Sequence, residues 1–421
     1  MMKPILSVSA LALLAMAQTG WAQSDADATT DSIVIPVKDQ MAADHAPLGI
    51  RAGSFLVIPK VDVEETYNDN IYATTNNEKS DTITTVRPQI EAHSNWSRHA
   101  VNALARGEFQ KYNNHGDEDQ SNYLAAVDGR LDVLRDTTLG GGVAYARNHE
   151  DRGDPNSIGS TVKPVAYDTT TARVGAFRGL GKLNARVDSQ VSHIDYKNGY
   201  TSAGGVVNEN VRDRNEYAQI LRVGYQLDPR FEAFVRATFD TRAYDDKTTV
   251  TNRSNHGQTY VAGSTFDITG KTKGEVYAGA THRNYTDSAL KDISTPVWGG
   301  KATWNADALT TVIGSIDRGV EETTIGASSG YVATDYDLEV QHSLTRDVLL
   351  HGNAGYSDYD YKGFAAGQRK DHVWSAGVGA DYWLNRCLKT GLSYGYENRD
   401  SNITGGDYSR NLVLLRLTGT Y

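Results

Sequence analysis

The sequence predicts an all-β fold: a transmembrane antiparallel up-and-down β-barrel of about 18 strands, with both termini periplasmic. Three observations carry that prediction. Apolar and polar residues alternate with period two from Ser54 onward. The connections between alternating segments switch between tight turns and longer polar loops. The last segment, NLVLLRLTGTY, alternates up to an aromatic residue at Tyr421, as expected of an outer-membrane barrel.

Residues 1–22 read as a signal peptide. Lys3 supplies the positive start, Ile5 to Ala17 the apolar run, and Gly20-Trp21-Ala22 the small-residue cleavage site. The run is too short to span ~30 Å of hydrocarbon, which argues against a membrane anchor. Residues 23–48 are polar and acidic and read as a flexible periplasmic segment. Residues 49–421 form the barrel domain.

Eighteen candidate strands follow. They lie at roughly 54–67, 80–95, 98–112, 120–134, 137–149, 165–178, 182–196, 212–227 and 230–244. The remainder lie at roughly 255–267, 271–285, 293–305, 308–321, 329–342, 347–361, 370–383, 387–398 and 408–421. Tight turns such as Arg135-Asp136, Asp228-Pro229-Arg230 and Thr269-Gly270 follow even strands. Longer loops, such as 150–164 and 197–211, follow most odd ones. A soluble β-sandwich explains the alternation but not the parity of loop lengths.

Alternation assigns faces. In the third strand Val101, Ala103, Ala105, Gly107 and Phe109 oppose Asn102, Leu104, Arg106, Glu108 and Gln110. In the seventh, Leu183, Ala185 and Val187 oppose Asn184, Arg186, Asp188 and Gln190. In the ninth, Ala233, Val235, Ala237 and Phe239 oppose Glu232, Arg236, Thr238 and Asp240. The apolar face must meet lipid, because a Lys or Arg at the bilayer midplane costs ~2–4 kcal/mol there. The charged face then lines a wet pore. Asp128, Arg130, Asp132, Arg173, Arg222, Lys273, Glu275, Lys301, Asp335, Asp337, Glu339 and Arg416 fall on it too. In the last strand Val413, Leu415, Leu417, Gly419 and Tyr421 share the lipid register and form the expected assembly signal.

Tyr outnumbers Phe, 24 to 8, which suits aromatic girdles at two interfaces. Trp96, Phe177, Tyr225, Phe231, Phe266, Trp304, Trp383 and Tyr421 are expected at the turn end. Tyr67, Tyr112, Tyr145, Tyr196, Tyr244, Tyr285, Tyr359 and Tyr396 are expected at the loop end.

Several classes of chemistry are not indicated. The net charge of −10 argues against nucleic acid. The single cysteine, Cys387, allows no internal disulfide. The histidines show no metal spacing, and no Gly-x-Ser-x-Gly elbow occurs. No enzyme, cofactor or metal is expected. The Asp335, Asp337, Glu339 repeat faces the lumen and could hold Ca²⁺, but such a site needs six or more oxygens from converging segments. The place expected is the outer membrane of a Gram-negative bacterium. The partners expected are its lipid and lipopolysaccharide and the barrel-assembly machinery.

The stretch PKVDVEETYNDNIYATTNNEKSDTITTVRPQIEAHSNW from Pro59 carries a family resemblance. Its marks are Tyr67, Asp69 and Asn70, then Ser80-Asp81, Arg87-Pro88 and the turn Trp96 to His99. With SRHAVNALARGEFQKY and YARNHEDR it resembles the putative β-barrel porin 2 family. Members often accompany exopolysaccharide or capsule genes. The resemblance therefore implies export of a hydrophilic polymer, an exopolysaccharide or capsular polysaccharide, with a periplasmic export protein as partner. The alternative is a passive diffusion porin for small hydrophilic solutes. A pore this wide needs a stopper. Residues 23–48, or a periplasmic partner they recruit, are one candidate, with Ile33-Val34-Ile35 on the wall and acids near Arg106, Arg130 and Arg173. Loop 148–164, folded inward, is the other.

Overall fold

An alternating strand suits a wall with a different solvent on each side, and the chain builds such a wall. The computed structural model describes residues 34–157, 161–246, 251–323, 325, 328–363 and 369–421. The expected leader and the start of the polar segment lie outside these. Eighteen wall strands run in order: β1 Phe55–Asn68, β2 Asp81–Ser94, β3 Ala100–Tyr112, β4 Gln120–Leu134, β5 Thr137–His149 and β6 Ala166–Leu180. Then come β7 Leu183–Tyr196, β8 Arg214–Asp228, β9 Phe231–Tyr244, β10 Asn255–Ile268, β11 Thr272–Tyr285 and β12 Ile293–Asn305. The last six are β13 Thr310–Glu321, β14 Gly330–Thr345, β15 Val348–Lys362, β16 Lys370–Trp383, β17 Leu388–Ser401 and β18 Tyr408–Thr420. Each pairs antiparallel with its neighbours in sequence, and β18 pairs β1 from Lys60↔Thr420 to Asn68↔Leu412. The sheet is thereby closed, and each wall strand is paired on both sides over at least part of its length.

Local chemistry sets the turns. Between β10 and β11, Thr269 and Gly270 both take positive φ, at 61° and 67°. Such a pair suits the two-residue hairpins whose twist matches the flanking strands. A three-residue strand, Ile50–Ala52, pairs back on Phe55–Val57 and heightens the wall beside β1.

The two faces differ as alternation requires. Outward Val143, Val174 and Val378 are 60%, 64% and 62% exposed. With Val127, Val187, Leu221, Val235, Leu338 and Leu415 they make a continuous exposed apolar belt. A belt that large is stable only against hydrocarbon. The charged side chains of the same strands point into the lumen, where many meet as ion pairs.

The aromatic girdles need correcting. Tyr225, Trp304 and Tyr421 are exposed outward at the turn end, and Tyr67, Tyr145 and Tyr396 at the loop end. Trp383 is inward and 9% exposed, and Phe177 lines the interior. Tyr196, Tyr244, Tyr285 and Tyr359 are inward and buried, and Tyr112 shares their face. The loop-end mouth is packed with protein, so these rings find partners there.

The faces give a direct prediction. With Cys387 removed, cysteines at 106, 186 and 236 should react with a water-soluble thiol reagent in isolated membranes. Cysteines at 103, 185 and 235 should not. Reversed labelling would place the register one residue off, since such a slip exchanges the faces.

Candidate functional site

The mid-lumen wall is a lattice of opposed charges. Arg186, Arg222 and Arg236 stand directly opposite one another across β7, β8 and β9. Three guanidiniums in a row repel. Each has a carboxylate: Asp188 at 2.8 Å, Glu232 at 2.7 Å and Glu275 at 3.5 Å respectively. Arg222 lies 4.2 Å over the Phe234 ring, and Arg236 4.5 Å over Tyr277. Farther round, Arg87 bridges Glu108 and Glu64, and Glu64 accepts from Arg416.

All the expected pore-lining residues fall on the inward register, but they do different jobs. Asn102 donates to Asp128. Asp132 accepts from Arg130 and from the backbone N–H of His99, so it fastens the β2–β3 turn. Asp240 holds Arg283 at 2.7 Å, toward the loop end. Arg106, Arg173, Lys273 and Lys301 share the lumen face of β3, β6, β11 and β12. Asp335, Asp337 and Glu339 form an acidic strip on β14, where Asp335 accepts from Ser357 and Glu339 from Gln341. Among the described residues no His, Cys, Asp and Glu group is placed to hold a metal ion.

The turn-end mouth holds part of the segment read as linker. Residues Val37–Asp44 form a helix, α1. Pro36 precedes it at φ −57°, a value already suited to a helix start. Val37 and Met41, one helical turn apart, are buried against Leu349 and Trp383. The Val37 N–H donates to Thr311 Oγ1 at 2.9 Å and the Lys38 N–H to Gln341 Oε1 at 3.1 Å. Asn305 Nδ2 donates to the Ile35 carbonyl, and His45 stacks on Trp383 and bonds Asp347. Composition suggested a linker because it cannot register two apolar side chains on one face. Among the described residues its acids are Asp39 and Asp44, and they ride on a helix docked on β12 to β16 rather than against Arg106, Arg130 or Arg173.

The loop-end mouth is crossed from above by described residues of two connections. The connection after β5 crosses the lumen. Asp151 pairs with Arg410 at 3.1 Å, and Arg399 donates to the Gly153 carbonyl at 3.2 Å. Arg152 is held by Glu118 at 2.5 Å and by the Thr161 and Val162 carbonyls. From the other side comes the connection after β13. Its Glu322 pairs with Arg242 and accepts from Tyr244 and Asn255, and its backbone carbonyl accepts from Asn156. Burial alone would raise the Glu322 carboxyl, but Arg242, Arg283 and Arg214 bring it down to about 2. Asp154 is surrounded by protein though partly wetted, and burial beside Glu150 pushes its carboxyl up to about 7. Beneath lie Glu150, paired with Arg212, and the Tyr196 ring, 3.9 Å from that guanidinium. Between the two mouths remains a cavity of about 1600 Å³, lined by Arg186, Arg222, Arg236, Lys301 and Asp317, with Val34, Ile35 and Pro36 as part of its lining.

A closed wall of 18 alternating strands with a charged interior has known relatives. Residues 43–421 match the family described as "putative beta-barrel porin 2". The chain belongs to this porin family. It is an outer-membrane protein of a Gram-negative bacterium. No curated protein matches it. Among solved structures, the outer-membrane protein OpdK from Pseudomonas aeruginosa is 10% identical, with 87% of this chain and 99% of that chain covered and a TM-score of 0.45. OpdO from the same organism is 12% identical, covering 87% and 97%, at 0.45. The siderophore receptor PirA, also from that organism, is 7% identical, covering 87% and 80%, at 0.45.

Sequence reasoning missed two parts of this porin's lumen. One is the inward connection after β13, whose Glu322 lies just past the expected strand 308–321. The other is the layer of inward tyrosines. Its signal was present, since Tyr196 has the parity of Arg186 and Asp188.

Proposed function

We propose that this porin is a passive diffusion channel for small hydrophilic solutes, with its loop end facing outward from the cell. One observation carries the reading: the charged lumen is narrowed at both mouths to a cavity of about 1600 Å³. That volume suits small molecules. Interleaved charges and hydroxyls offer many weak contacts, which favour passage over trapping. A polymer in transit needs a wide, continuous bore, and α1 and the crossing loops narrow both mouths. The export role implied by the family resemblance finds no support in this geometry.

Liposome swelling tests the reading. Monosaccharides and disaccharides should enter at rates falling with size, and a dextran should be excluded. Dextran entry at the monosaccharide rate would sink the diffusion reading and restore the polymer one.

A further inference from the structure

The ladder between β12 and β13 stops halfway. Gly299 and Asp317 are its last pair. β12 extends beyond this to Ile293, still paired with β11, and β13 extends to Glu321, still paired with β14. Ile293–Trp298 and Arg318–Glu321 thus have a strand partner on one side only. The stretch on β12 covers roughly 20 Å of wall at ~3.3 Å per residue.

Pro296 gives a cause. It has no N–H, and its carbonyl faces β13, where it accepts from Arg318 Nε at 3.3 Å. The missing donor is therefore one that β13 would have used. Beyond the split the two sides overlap. Val320 and Val332, of outward parity on β13 and β14, are buried against Tyr285, Leu290 and Ile293. Tyr285 and Ile293 are of inward parity on β11 and β12. A Cβ on Gly330 would lie 3.0 Å from the Tyr285 hydroxyl, so the overlap is close.

The joint is sealed by side chains rather than by backbone. Arg318 straps it. Its Nη1 donates to Thr334 Oγ1 at 2.6 Å, its Nη2 reaches Thr295 Oγ1 at 3.4 Å, and its guanidinium lies 4.8 Å over Trp298. The central cavity reaches the joint, because Val297, Asp317, Arg318, Gly319 and Val320 line it. Pro296 is level with outward Tyr260 through Ala280. Interfacial tyrosines mark the hydrocarbon–headgroup boundary, so the joint opens there. The axial exit, by contrast, is narrowed by the connections after β5 and β13, whose described residues meet across it.

We propose that solute enters and leaves this lumen sideways, through the β12–β13 joint, and that the joint favours small zwitterions with an apolar body, such as apolar amino acids. The body parts the valine–isoleucine contact. The ammonium meets Asp317 and the carboxylate meets Arg318, consecutive residues on opposite faces of β13. This deepens the diffusion reading and rests on it.

The test modifies a barrel that has already folded. In full-length protein with Cys387→Ser, Thr295→Cys places a thiol at the joint. After insertion into liposomes, a bulky thiol reagent should slow phenylalanine entry several-fold, and phenylalanine should enter faster than serine before modification. Arg318→Ala, with the strap removed, should speed both. Unchanged phenylalanine entry after complete modification would overturn the lateral route, and equal entry of the two amino acids would overturn the stated preference. A barrel that passes neither amino acid nor ions before modification would overturn the diffusion reading and this proposal with it.

Discussion

Deleting residues 151–157 should turn this narrow channel into a wide, weakly selective pore. Conductance in planar bilayers should rise several-fold, and cells should become sensitive to large antibiotics. The wall gives the reason. A barrel of eighteen strands encloses more than side chains can fill, so its width is set by what folds into it. At the loop end that filling is tied by buried charges. Arg410 is 1% exposed and grips Asp151 at 3.1 Å and Glu397 at 2.9 Å. Removing one partner of a buried ion pair costs ~3–5 kcal/mol, because the other charge is stranded. Arg410→Ala should therefore reproduce part of the deletion phenotype. Arg152→Ala should also act, through the loss of Glu118. Wild-type conductance from the deletion would mean that the crossing loop does not limit flow, and a folded barrel with unchanged antibiotic exclusion would point to α1 as the main stopper.

The wall was legible in the sequence because its physics is local. Period-two alternation fixes which side chains share a face, and turn chemistry fixes where strands reverse. The contents of the lumen were not, because they are made across it. Asp151 and Arg410 lie 259 residues apart, and no local pattern pairs them. The β12–β13 joint lies between these cases. Pro296 inside an alternating segment is a visible warning of an interrupted ladder, but the sequence does not say which neighbour loses its partner. The α1 contact was open to reading too, since Val37 and Met41 have helical spacing. The acidic composition around them hid it.

The closing strand gives the sharpest energetic prediction. Leu415 is on the outward face of β18, 54% exposed, in the middle of the apolar belt. Across the seam that closes the barrel it stands directly opposite Glu65 of β1, itself outward and hydrogen-bonded to Thr84. At a bilayer midplane Arg or Lys costs ~2–4 kcal/mol, and Asp or Glu less. Glu65 reverses that order here. An aspartate at 415 would face a like charge directly opposite and destabilise both the seam and the lipid contact. An arginine could pair with Glu65. Leu415→Asp should therefore sharply reduce heat-modifiable, membrane-inserted protein, Leu415→Arg should insert better, and Glu65→Gln should narrow the difference. Arg416→Gln, one residue along but inward, should be mild, because Glu64 keeps its second partner Arg87. Tyr421→Asp should also impair insertion, since Tyr421 extends the same outward row and its N–H holds the Pro59 carbonyl at 3.2 Å. Equal insertion of the Asp and Arg variants at 415 would show that Glu65 does not act across the seam. Better insertion of Leu415→Asp than of Arg416→Gln would show that the two faces of β18 have been exchanged.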